Sequence, residues 1–252
     1  RYIGDWSSDV CSSDLFYVNN IKYAKNTIFD HALSNLSEYD FFEKPLKNHI
    51  PKKDVIPYEI ASPLFSDYAE KMRFIRVPDG SKILLDDENN FIYPENTYLI
   101  KTFYYYFDIR DQHSKKHIIE TRILKNTSEG WLSFPYVWNE NQTDAKLNLA
   151  GARISASWTH FDGNPIEILY SVPNMNQCKN CHTLNNVQKP IGPKIRNLNH
   201  NFSYKDGIQN QLKKWISIEF LESISNLISC RDFKFLCYHL DFLKYYCHLS
   251  WF

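Results

Sequence analysis

The sequence predicts a mainly β protein with a small α part, an antiparallel β-sandwich or barrel-like domain followed by a short helical segment. Between Phe74 and Val172, runs of alternating character repeat with period two and are separated by turn residues. Aromatic residues make up 16% of the chain, with 17 Tyr and 17 Phe against 7 Gly. That composition suits pleated, half-buried surfaces. Beyond Val172 the alternation stops, and the run Cys178-Lys179-Asn180-Cys181-His182 fits a single helical turn.

Length and charge set the bounds. A chain of 252 residues has material for one large domain or two small ones. Its 29 basic and 29 acidic residues cancel, which argues against nucleic acid or an anionic lipid surface as partner. No stretch approaches the roughly 20 apolar residues of a membrane-spanning helix. Of the 6 cysteines, one lies near the start, two in the motif and three near the end, which is no even disulfide framework.

Taken in order, residues 1–15 read as a translated sequencing adapter. The run Asp5-Trp6-Ser7-Ser8-Asp9-Val10-Cys11-Ser12-Ser13-Asp14 is set aside from fold reasoning on that ground. A signal peptide or lipid-anchor cysteine would lie upstream of Phe16. Residues 16–57 read as a linker and N-terminal extension, with Pro51-Lys52-Lys53 and Pro57 marking an extended connector. Residues 63–71 read as one or two helical turns capped by Ser66 or Asp67.

The β-rich domain is placed at 58–173. Strands are expected at 74–77, 82–85, 97–108, 117–125, 130–138, 146–149, 153–158 and 166–172. Turn signals such as Asp162-Gly163-Asn164-Pro165 separate them, and this spacing belongs to all-β sandwiches and barrels. Within it, Glu120 and Arg122 read either as a catalytic pair or as an internal ion pair or solvated face. The loop from Asn139 to Asp144 reads as a ligand loop or as a loop held by its own hydrogen bonds. The run Tyr104-Tyr105-Tyr106 puts core on one face and surface on the other.

Residues 174–228 form the helical segment, and Cys-x-x-Cys-His is the attachment signature of c-type haem. Two thiols three residues apart share one side of a helical turn, so both reach the vinyl groups along one porphyrin edge. The following His182 is placed to offer a ring nitrogen to the iron. Half of a zinc site is an alternative, but Cys230, Cys237 and Cys247 are spaced too widely to be its second pair. A thioredoxin-like motif is another, and it lacks its βαβ context. After the motif, Gly192-Pro193 is either an ordinary turn or the source of a carbonyl that holds the proximal histidine. Asp206-Gly207 precedes a helical pattern with Ile208, Leu212, Trp215 and Ile216 on one face. In residues 229–252, eight aromatics and three cysteines break register with everything before, which reads as a frameshifted tail.

The stretches Pro57-Tyr58-Glu59-Ile60-Ala61-Ser62-Pro63-Leu64-Phe65, Pro135-Tyr136-Val137-Trp138-Asn139-Glu140-Asn141-Gln142-Thr143-Asp144-Ala145 and Val172-Pro173-Asn174-Met175-Asn176-Gln177-Cys178 carry a resemblance. With Pro190-Ile191-Gly192-Pro193-Lys194-Ile195-Arg196-Asn197 they make residues 36–221 resemble a family of bacterial exported two-haem c-type cytochromes. The resemblance implies covalent haem at Cys178 and Cys181 and an iron ligand at His182. The family's second Cys-x-x-Cys-His is missing here, where the sequence turns aberrant, so this chain is expected to carry one haem c.

The expected function is therefore electron transfer by an exported c-type cytochrome, in the periplasm or on the outer side of a bacterial membrane, with a protein redox partner. The alternatives are a haem-dependent oxidoreductase whose β domain binds a substrate, and a binding module without redox work. No methionine follows Met175, so the distal iron ligand is expected to lie outside this sequence. Met72, His160 and His200 are the donors left to test against that expectation.

Overall fold

The computed structural model describes residues 31–184 and 187–223, with the side chains at 179–182 and 184 outside that description. Residues 1–15 and 229–252 also lie outside it, so the adapter and frameshift readings are not addressed by the structure.

The chain forms β1 (Val55–Tyr58), β2 (Glu70–Arg76), the short pair β3 (Leu84–Leu85) and β4 (Phe91–Ile92), and β5 (Tyr98–Tyr106). There follow β6 (Lys116–Thr127), β7 (Gly130–Trp138), β8 (Ala145–Leu147), β9 (Ala152–Thr159) and β10 (Pro165–Val172). Helix α1 (Met175–His182) comes next, then the short pair β11 (Thr183–Leu184) and β12 (Val187–Gln188) and the single turn α2 (Ile195–Leu198). A hairpin of β13 (Asn201–Tyr204) and β14 (Gly207–Asn210) leads into α3 (Gln211–Ser217). The protein is mainly β with a small helical part, as the sequence predicts.

Six strands make one antiparallel sheet in the order β1-β2-β5-β6-β7-β8. The β9–β10 hairpin forms a separate two-stranded layer. Pro57 sits within β1, at the sheet edge, where its missing N–H breaks no ladder.

Period two sorts the side chains to two faces. On the first face, Phe74, Ile100, Ile123 and Phe134 line up across the strands. Leu36, Tyr39, Phe41, Phe42 and Leu46 close over them, so the segment read as linker up to residue 57 is packed core from Leu36 on. Its two 3-10 turns, Leu36–Tyr39 and Leu46–Asn48, are too short to show a helical period, and the aromatic burial replaces regular structure as their anchor.

The second face has two covers. Tyr105 and Ile119 meet Trp158, Tyr170 and Val172 of the β9–β10 hairpin, and Tyr105 stacks on Trp158 at 4.9 Å. Farther along the strands, Ile75 and Leu99 meet Ile195, Leu198, Leu212 and Trp215. Burying these two apolar patches helps hold the hairpin and the C-terminal segment to the sheet.

Two expectations are corrected. Residues 63–71 contain no helix: Asp67 and Tyr68 have φ of 45° and 63°, and β2 begins at Glu70. Lys205 and Asp206 make a two-residue hairpin turn and Gly207, at φ 119°, opens β14, so Ile208 lies on that strand and is exposed. The helix starts only at Gln211, where the Asn210 side chain caps the Lys213 amide.

Candidate functional site

The hairpin delivers the chain to the motif. Val172 ends β10 opposite Ala152, the first residue of β9. Gly151 sits beside that junction at φ 81°, and a Cβ there would lie 2.8 Å from the Val172 carbonyl and 3.0 Å from the Asn174 amide. Only glycine fits a position that is left-handed and so closely approached. Helix α1 then opens with a capping box: Asn174 Oδ1 accepts from the Gln177 amide and Gln177 Oε1 from the Asn174 amide, both at 2.9 Å.

Those caps make an eight-residue helix stable without a long apolar face. The backbone of α1 runs through Cys178, Cys181 and His182, so the two cysteines stand at i and i+3, neighbouring positions on one helical surface. Cys178 is 7% exposed and lies within electrostatic range of the Arg122 guanidinium. Contacts between α1 and β7 set the helix over the second face of the sheet. β12 continues on the same side, where Gln188 donates to the Ser133 hydroxyl at 2.5 Å. The side chains of Cys181 and His182 lie outside the described residues.

Under α1 the sheet surface is polar. Arg122 donates to the Glu120 carboxylate through Nε at 2.8 Å and Nη2 at 2.5 Å. Tyr170 reaches down from the hairpin and donates to the same carboxylate at 2.6 Å. Glu120 is fully buried, so this is an internal ion pair satisfied by three donors and not a solvated face. The Arg122 guanidinium also lies 4.3 Å from the centre of the Phe103 ring.

The candidate distal donors are spread widely. Met72 stands opposite Thr102 and packs with the first-face core, on the other side of the sheet from α1. His160 is at the tip of the β9–β10 hairpin, beyond Thr159, and its buried Nδ1 has no hydrogen-bond partner among the described residues. Eight paired residues separate that tip from the end joined to α1, about 25 Å along the strands. The His200 ring is in contact with the Gln211 amide at 3.3 Å, and the same amide donates to the Glu59 carbonyl at 3.0 Å. The Gly192 carbonyl accepts from the Asn197 side chain at 2.7 Å.

Other residues singled out by sequence have structural work. Gln142 bonds both backbone groups of Ile118, at 2.8 and 3.0 Å, beside the irregular register between Phe103 and Tyr104. Asn139 Oδ1 accepts the Thr143 amide at 3.0 Å, so the 139–144 loop is held by its own hydrogen bonds. Tyr105 faces the hairpin, while Tyr104 belongs to the opposite core.

Sequence reading missed His49. It is 4% exposed, and its Nε2 lies 3.0 Å from Thr102 Oγ1 in a chain of contacts that continues to Thr121 and to the Trp138 indole N–H. Burial pushes its imidazole down to about 4, so it is neutral in the fold. No local pattern marks it, since its partners come from three strands.

Among the described residues, no three His, Cys, Asp or Glu side chains gather as a metal site. Comparison with protein-family models, curated proteins and solved structures finds no significant match.

Proposed function

We propose that this chain is a c-type cytochrome that carries one haem on Cys178 and Cys181, takes His182 as an iron ligand, and transfers electrons outside the bacterial cytoplasm. The observation that supports this most is the setting of the motif. Cys178 and Cys181 share one helix, fixed at its start by a capping box and by the close approach at Gly151, and Cys178 is packed toward the sheet.

The fit to the group rests on donor chemistry. Two thiols at i and i+3 match the two thioether positions along one porphyrin edge, and an imidazole next in sequence matches an axial ligand. Bound haem would supply a one-electron iron couple. The protein's part is to hold the group covalently, orient it above the second face and set the charge around it. Arg122, fixed by Glu120 with Tyr170 on the same carboxylate, is a charged group within electrostatic range of Cys178.

The test is maturation. Exported in a host that attaches c-type haem, the chain should keep haem mass and absorbance after denaturation, and Cys178→Ala with Cys181→Ala should lose both. A denatured chain without haem overturns the reading.

A further inference from the structure

The middle of the second face holds two cations, Arg73 and Lys101, that make no ion pair among the described residues. Arg73, Lys101 and Arg122 stand directly opposite one another on β2, β5 and β6, and Lys71 follows two residues from Arg73 on the same face. Arg122 has Glu120, and Lys71 donates to the Leu64 carbonyl at 2.7 Å. Among the described residues, the side chains of Lys101 and Arg73 make no hydrogen bond or ion pair. The Lys101 ammonium has only the face of Phe103, at 5.1 Å. Burial, with Arg122 and Arg73 beside it, pushes that ammonium down to about 7.

Like charges directly across a sheet destabilise it, and a desolvated ammonium without a paired anion costs the fold more. The row also lies between the two apolar covers, with the hairpin on one side and the C-terminal segment on the other. Its Arg122 end is the end nearest Cys178. Two strand spacings, about 10 Å, carry the row from Arg122 to Arg73. In haem the propionates leave the porphyrin on the side away from the thioether carbons, so a group tethered at Cys178 would extend its acids along this row.

We propose that Arg73, Lys101 and Arg122, with Lys71 beside them, form a carboxylate-binding row, and that the carboxylates are the two propionates of the haem held at Cys178. The source of the carboxylates rests on the cytochrome reading above; the anion site itself does not. The groups that face Lys101 are Arg73 and Lys71 from β2 and Arg122 and Glu120 from β6; Arg122 also faces Tyr170 and Cys178, and Arg73 faces Tyr58, Glu59 and Glu70. Glu120, the one carboxylate that faces Lys101, is already engaged by Arg122 and Tyr170, and neither Glu59 nor Glu70 makes an ion pair with Arg73 among the described residues.

The experiment compares the matured full chain with Lys101→Met and Arg73→Met, each of which removes a charge that holds no other described side chain. Paired propionates stay ionised, so the wild-type midpoint potential should be flat from about pH 5 to 8. Each variant should shift the reduction equilibrium about tenfold toward the oxidised form, about 59 mV for one electron. Each should also gain a pH-dependent step in that range as the propionates titrate. Covalent haem with potential and pH profile unchanged in both variants overturns the carboxylate row and leaves the cytochrome reading standing. If no haem is attached, the cytochrome reading falls, and the unmatured chain is titrated with succinate. A saturable rise in Tm that Lys101→Met abolishes then supports the row with a free dicarboxylate as its ligand, and no rise overturns it.

Discussion

Tyr170 donates its hydroxyl to the Glu120 carboxylate at 2.6 Å, which ties the β9–β10 hairpin to the central sheet through a fully buried charge. The hairpin in turn leads directly into α1, so this bond helps fix where the Cys-x-x-Cys-His helix sits. Tyr170→Phe leaves Glu120 with Arg122 alone. The expected loss is about 1–3 kcal/mol in urea unfolding, the range for a charged hydrogen bond removed from a buried site. A loss below a few tenths would mean that the hairpin is held by apolar packing alone.

Gly151→Ala should be as costly. The added methyl meets backbone on both sides of the turn into α1, and the φ of 81° disfavours any L side chain. A destabilisation of about 1–3 kcal/mol is expected. The yield of haem-bearing protein should fall with it, because the same backbone positions α1.

Low pH should weaken the fold through His49. Its pKa is about 4 in the folded chain and about 6.5 when exposed, so protons bind the unfolded chain more readily. The stability this neutral imidazole contributes is complete above pH 6.5 and is lost as pH falls to about 4. The loss amounts to roughly 3 kcal/mol. Urea midpoints measured across that range should slope in the wild type and flatten in His49→Gln.

Lys101 should act in the same direction at higher pH. With its folded pKa near 7 against the usual 10.5, the neutral amine suits the unmatured fold. Its contribution is present above pH 10.5 and lost on descent to about 7. Lys101→Met should therefore stabilise the unmatured chain at neutral pH, by ~2 kcal/mol, as expected when a charge kept for function is removed. Destabilisation by this change would place the ammonium in a favourable ion pair.

The sheet was legible because its strands alternate: β5, β6 and β7 were read to within two residues from period two alone. Residues 36–49 were not legible, because their aromatics pack through short turns that follow no period. Ile208 was misplaced because a strand and the start of a helix share its spacing, and only the Asp206-Gly207 hairpin separates them. The i, i+3 cysteines were visible as a motif. The cationic row was not, since Arg73, Lys101 and Arg122 lie 28 and 21 residues apart and meet only through strand register.

Met72 offers a check on that register. It faces the core opposite α1, so Met72→Leu should leave the spectrum and spin state of the matured iron unchanged. A low-spin methionine signature that vanishes with this change would mean that β2 is turned over.

The most direct measurement is the intact mass and haem absorbance of the matured chain after denaturation. One covalently held haem, lost when Cys178 and Cys181 are both replaced by alanine, is the predicted result. A bare polypeptide mass from a host that matures other c-type cytochromes under the same conditions would contradict it.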